Sequence, residues 1–349
     1  MQRLIKIRVL LIFLVVLFCA NTGMSQDLQQ QKQHLRNRIS EIDAKLNSSP
    51  TADEYNKLIK EREKLVAEIK DIETKLMADV EAMKKINAVK KAYNDGNNAY
   101  KLGQYQQAVT SYDKAISMDS TFFKAYYGKG LALKKLRKYA EATKAYQGAI
   151  RQNPSYSLAY IALGKIFSQR GMPDKAIETY TKAIEYDPTS AKLCYELGAV
   201  YQNRKKNYKK AVENFTKATQ INPEYDLAFY SLGVSLTELN RLDEAVVALE
   251  NALAVTKRKR WADPHYRLSV VFNKKGNFSK ALKSAEQALA IKKNFAPAAY
   301  EAGKACKSLG RFNAAIGYFD IVAKDRQWRR TAEYEIDLIK NRDKYGGNN

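Results

Sequence analysis

The chain has 349 residues, 45% of them hydrophobic, with a formal charge of +23, a content that excludes disorder over most of its length. Residues 1–88 carry about +3, all of it from Arg3, Lys6 and Arg8, and residues 89–349 about +20, so the positive field belongs to the C-terminal three quarters. Three scattered cysteines, Cys19, Cys194 and Cys306, exclude a disulfide framework or a cysteine metal knot.

Residues 1–25 begin with a basic lead and continue with an apolar run from Val9 to Ala20 and small polar residues. That run would span about 18 Å as a helix, short of the roughly 30 Å hydrocarbon core, so it reads as a secretory signal peptide cleaved before Gln26. The alternative is an uncleaved membrane anchor from Leu4 to Cys19. Export to the periplasm or beyond is the expected location.

From Gln26 to residue 88 the composition is that of long helices. Leu28, Leu35, Ile39, Ile42 and Leu46, then Leu58, Leu65, Ile69, Ile72, Leu76, Met83 and Ile86, alternate spacings of three and four, a heptad seam. Pro50 breaks the run, and Thr51 with Glu54 forms a capping box that starts it again. The segment 26–88 is therefore expected to be a coiled-coil helical hairpin. The same residues would also serve self-association into a homo-oligomer.

Beyond it the chain repeats itself. A spacing near 34 residues brings Gly96, Gly130, Gly164, Gly198, Gly233, Ser269 and Gly303 into one column. Ala108, Ala142, Ala176, Ala211, Ala245, Ala281 and Ala315 form a second, and Ala115, Ala149, Ala183, Ala218, Ala252, Ala288 and Val322 a third. Small residues at the first two columns let two antiparallel helices approach closely. Tyr112, Tyr146, Tyr180, Phe215, Leu249 and Phe319 form a large column on the second helix, expected to face the next unit. One helix pair cannot bury its own apolar face, so the units must stack. This pattern resembles the tetratricopeptide repeat family, which implies an all-α, right-handed superhelix, an α-solenoid of seven helix pairs. The units are 89–122, 123–156, 157–190, 191–225, 226–261, 262–295 and 296–329. Unit four carries one extra residue in RKKNYKK from Arg204, and Arg260 and Trp261 are inserted before unit six; loops are expected to absorb both. A helix over 330–343, presenting Tyr334, Ile336, Leu338 and Ile339, would cap the array, followed by a disordered tail at 344–349.

No catalytic constellation stands out. His34 and His265 lack a nucleophile or metal partner at a meaningful spacing and are expected at the surface, while Cys194 and Cys306 read as buried small hydrophobes. No cofactor and no enzymatic activity are expected.

The family resemblance implies that an extended peptide or a partner helix binds in the concave groove lined by the first helices. One groove column reads Tyr93, Tyr127, Ile161, Tyr195, Tyr230, Tyr266 and Tyr300, with Asn97, Lys165 and Lys304 one turn further on. Such rings offer apolar area with a hydrogen-bonding rim. The lysine-then-asparagine pair by which some family members clamp a carboxylate is missing. A second candidate is a basic rim on the turns within units: Lys134, Lys135, Arg137, Lys138, Arg204, Lys205, Lys206, Lys209, Lys210, Lys274 and Lys275. A rim of this kind attracts anions in a salt-sensitive way. The partners expected are a protein or peptide, acidic in one version, or an anionic envelope polymer or membrane surface. Nucleic acid is not expected, because an exported protein seldom meets it.

Overall fold

The computed structural model describes residues 23–48 and 50–342. The expectations for residues 1–22 and for the tail at 344–349 lie outside the described residues. Every regular element among them is helical. They form two compact bodies, one ending at Arg137 and the other beginning at Lys138.

The first body opens with α1 (Gly23–Leu46) and α2 (Ala52–Lys101). The Thr51 hydroxyl accepts the Glu54 amide proton at the start of α2, as the capping signal implies. Leu35 and Ile42 of α1 bury against Leu65, Ile72 and Leu76 of α2, an antiparallel hairpin closed within one chain. Charged side chains lace its edges, with Lys32 to Glu73 at 2.7 Å, Arg38 to Glu61 at 2.6 Å and Arg62 to Asp43 at 2.7 Å.

Two features of this body differ from expectation. The boundary at residue 88 is not a break: α2 runs 50 residues, about 75 Å, and its end is the first helix of the first repeat. Neither glycine nor proline occurs between Ala52 and Asp95, so nothing stops the helix. The seam also ends early. Met83 and Ile86 lie beyond the reach of α1, and Ile86 is 46% exposed. After α2 come α3 (Tyr105–Met118) and α4 (Phe123–Lys135).

The second body continues the alternation with α5 (Tyr139–Gln152), α6 (Ser157–Gln169), α7 (Pro173–Tyr186), α8 (Ala191–Val200), α9 (Tyr208–Ile221), α10 (Asp226–Glu238), α11 (Leu242–Val255), α12 (Asp263–Lys274), α13 (Phe278–Ile291), α14 (Ala296–Ser308) and α15 (Phe312–Ala323). The final helix, α16 (Arg329–Lys340), packs on α15 and buries Ala332 and Ile339, whereas Tyr334 is left 63% exposed.

The two alanine columns are the tightest part of both bodies, none of their residues exposing more than 1%. The large column behaves differently from expectation: Tyr112, Tyr180, Phe215, Leu249 and Phe319 each fill the space left by the glycine of their own unit. A Cβ built on Gly164 would lie 2.5 Å from the Tyr180 ring, one on Gly198 2.8 Å from Phe215, and one on Gly303 2.6 Å from Phe319. Tyr112 also meets Gly128 of the following first helix at 2.6 Å. The glycine column is thus a socket for a ring, and the alanine column seats the helix backbone beside it.

Each turn inside a unit places one residue in the left-handed region: Gly103, Arg137, Gly171, Lys206, Asn240, Gly276 and Gly310. A hydrogen bond then closes the turn across five residues, as from Met172 N–H to the Phe167 carbonyl and from Asn277 N–H to the Phe272 carbonyl, both 2.9 Å. In unit four the same bond joins Asn207 N–H to the Tyr201 carbonyl across six residues. The extra residue is therefore absorbed inside the first helix, whose last turn, Tyr201–Lys205, widens to a π-helix. The loop at Arg260 and Trp261 takes up the second insertion, as expected.

Candidate functional site

Within the second body, first helices touch first helices of the next unit: α6 meets α8, α10 meets α12, and α12 meets α14. Together they make one wall, and the tyrosine column stands on it.

Each of these tyrosines is half-buried. Tyr195 packs between Phe215 of α9, centroids 5.6 Å apart, and Tyr225 of the following loop at 5.1 Å. Tyr300 lies between Phe319 at 5.8 Å and Trp328 at 5.3 Å. Tyr230 meets Trp261 at 5.3 Å, and Tyr266 meets Phe295 at 5.4 Å. In the first body Tyr93 takes the same position between Tyr112 at 5.8 Å and Phe122 at 5.2 Å. Tyr127 is half-buried, and burial raises the pKa of its phenol. Ile161, the aliphatic member, is buried. The wall is consequently preorganised, with little rotamer freedom left for a ligand to freeze.

The loop aromatics that pack against this column are not legible in the columns themselves. Phe122, Tyr156, Tyr225, Trp261, Phe295 and Trp328 each stand just before a first helix. Their spacing repeats with the units, so the signal was present, hidden by the mixture of ring types.

The cations of the wall are largely matched by carboxylates. Lys165 and Lys192 both reach Glu196 Oε1 at 2.9 Å, and this glutamate is buried. Lys192 Nζ also bonds the Tyr225 hydroxyl at 3.1 Å and lies 5.0 Å from the Tyr195 centroid. Burial by itself would lower the Lys192 pKa, but the bonds to Glu196 and Tyr225 outweigh it and hold the pKa above the usual value. At the other end Asn273 Nδ2 donates to buried Glu301 at 2.7 Å, Lys304 lies 3.4 Å from the same carboxylate, and Lys307 pairs with Glu335 at 2.7 Å. In the first body the Tyr112 hydroxyl donates to Asn97 Oδ1 at 2.8 Å. Between these clusters, Gln202 from the π-turn donates to the Ser231 carbonyl at 3.1 Å and the Ser235 hydroxyl at 2.9 Å on α10. Arg267 lies 5.1 Å from the Tyr266 ring centroid.

The basic rim is less uniform than its sequence suggests. Lys134, Lys135 and Arg137 belong to the first body and the other members to the second. Lys205 pairs with Asp174 at 2.7 Å, Lys275 with Asp243, and Lys138 with Glu141 at 3.9 Å. Lys210 lies 5.3 Å from the Tyr201 centroid, and Lys274 reaches the Thr237 carbonyl at 3.5 Å. In the second body Arg204, Lys206 and Lys209 are exposed and make no ion pair among the described residues, as is also true of Lys135 and Arg137 in the first. On the opposite set of loops, Lys257 pairs with Glu224 and Arg258 with Asp226, both at 3.1 Å.

His265 is half-buried, contrary to its expected surface position, and burial lowers its pKa. Cys194 and Cys306 are free and buried, with their thiol pKa values raised by burial, so they serve packing.

The fold and wall define a class, the helical repeat scaffold. Tetratricopeptide repeat models match at residues 96–137 and 164–205, at 123–156 and 191–225, and at 228–259. The chain therefore contains tetratricopeptide repeats. Among solved structures it is similar to PilF of Pseudomonas aeruginosa, with 19% identity, coverage of 64% of this chain and 98% of that one, and a TM-score of 0.51. A tetratricopeptide repeat protein from Parabacteroides merdae shares 15% identity over 73% of this chain and all of its own, with a TM-score of 0.50. YrrB, described as a repeat protein with an unusual peptide-binding site, shares 24% identity over 54% of this chain and 95% of its own, with a TM-score of 0.47. Curated proteins give no match. The likenesses to the first two establish the fold.

Proposed function

We propose that this protein is a non-enzymatic adaptor of the bacterial cell envelope, exported through residues 1–25, that holds an extended segment of a protein partner on the wall of first helices. The observation that carries this reading is the tyrosine column: Tyr195, Tyr230, Tyr266 and Tyr300 are packed from two sides or against a loop ring, yet remain half-exposed on consecutive first helices. Rings held in this way give a peptide broad contact at low entropic cost. The carboxylates within the wall, Glu196 and Glu301, offset neighbouring lysines, which favours a partner bound through apolar and hydrogen-bonding groups over a highly acidic one. The experiment is capture from envelope extract at about 0.5 M salt, where screening confines surface charge to a few ångströms. The partner should survive that salt and be lost from the Tyr195→Ala, Tyr230→Ala double variant; retention by the double variant would end this reading. Intact-mass measurement of the protein from envelope fractions should give a chain beginning at Gln26.

A second reading, an anionic polymer or membrane surface bound through the turn of unit four, is favoured by Arg204, Lys206 and Lys209, exposed and without ion pairs among the described residues. It predicts the converse: binding abolished by salt and by Lys206→Glu with Lys209→Glu, and indifferent to the tyrosines.

A further inference from the structure

The hairpin consumes its heptad seam internally, which leaves self-association to another face, and α2 presents one. Tyr55, Val66 and Met77 are 47%, 45% and 76% exposed. They are spaced by eleven residues, close to three full turns, and so lie in one row about a quarter turn from the seam. Ile59, half-buried, lies in the same row.

We propose that this row is a homodimer contact, in which α2 of a second copy packs antiparallel across a two-fold axis at Val66. Two features of the row argue for a copy of this chain. Its outer apolar members are equidistant from Val66, so a perpendicular two-fold sets Tyr55 of each chain against Met77 of the other and Val66 against itself, the self-complementarity a two-fold interface requires. The flanking charges are complementary under the same operation. Glu63 lies three residues before Val66 and Lys70 four after, on the same flank, and antiparallel packing brings Glu63 of each chain to Lys70 of the other. Both are exposed, and neither makes an ion pair within the chain among the described residues. The edge residues Arg62 and Glu73, in contrast, are already held by Asp43 and by Lys32 of α1. The row from Tyr55 to Met77 spans about 33 Å of helix, an interface in the small, weakly associating class. The dimer is therefore concentration-dependent, and it would present two repeat arrays from one stem.

The test is sedimentation equilibrium of the full chain across a wide micromolar range. Wild type should show a reversible monomer–dimer equilibrium. Val66→Glu, which sets two like charges on the axis, should weaken it at least about thirty-fold with helicity by circular dichroism unchanged. Glu63→Lys alone should weaken it about five-fold, and Glu63→Lys with Lys70→Glu should restore it to within about two-fold, because the symmetric pairs are then reversed. Tyr334→Glu, an exposed ring elsewhere, should change nothing. A strictly monomeric wild type, or a dimer indifferent to Val66→Glu, would overturn the proposal; a double charge variant that fails to recover would overturn the antiparallel arrangement. None of these outcomes depends on what the tyrosine wall binds.

Discussion

The hairpin and the repeats solve the same packing problem with different side chains. Between α1 and α2 the core is leucine and isoleucine, branched aliphatics of similar size spaced by a heptad. In the repeats a glycine faces a ring that leaves no room even for a methyl group, and an alanine column with no exposure seats the helices. The heptad tolerates exchange within the aliphatics; the socket and ring do not, because their volumes are matched one to one. The same contrast separates two long rods from a stack that holds a wall of side chains in register.

The largest effect should come from emptying a socket. Phe215→Ala removes a fully buried ring opposite Gly198 and should cost about 3–5 kcal/mol in urea unfolding. A cost near that of an ordinary seam change would dissolve the contrast. Filling the socket is the complementary test: Gly198→Ala should destabilise by about 1–2 kcal/mol, since overpacking against the fully buried Phe215 ring, about 2–3 kcal/mol, is offset by about 1 kcal/mol of helix propensity. Ile72→Val in the hairpin, which trims one methylene, should cost about 0.5–1.5 kcal/mol and shift the midpoint least among these core changes.

Smaller effects sharpen the comparison at the turns. Lys206 occupies a left-handed position, φ 53°, that Gly171, Gly276 and Gly310 fill in other units. Lys206→Gly should therefore stabilise the protein by about 1 kcal/mol, read as a raised thermal midpoint, and it should weaken anion binding if the unit-four turn is used for that. The smallest effect concerns pH. Burial holds the folded His265 pKa below the ordinary value of 6.5, so the unfolded chain takes up the proton first. The stability associated with the neutral ring is complete above about pH 6.5, declines as the pH falls below it, and levels off beneath the folded pKa. His265→Asn should flatten that portion of a stability profile.

The turn of unit four illustrates how far the residues alone could be read. The one-residue excess was visible as a slip in the glycine and alanine columns, but its placement was not. A loop and a helix can both take up a residue, and the choice fell to the helix because a π-turn keeps the turn's closing bond and lets Gln202 reach Ser231 and Ser235. The tyrosine column was legible from spacing, yet the loop rings gripping it were not, and neither were the carboxylates that match its lysines. Lys165 and Glu196 are 31 positions apart, on successive first helices, and only stacking brings them to 2.9 Å.

What the chain determined by itself is therefore its periodicity: a heptad seam broken at Pro50, and small and large columns at a near-constant spacing that force helix pairs to stack. Local rules suffice there, because every unit makes the same few contacts with its neighbours. Tertiary structure decided the rest, namely that α2 serves both hairpin and first repeat, that rings fill their own unit's glycine sockets, and which lysines remain without a carboxylate. Those outcomes rest on distances between separate elements, which spacing along a chain does not encode.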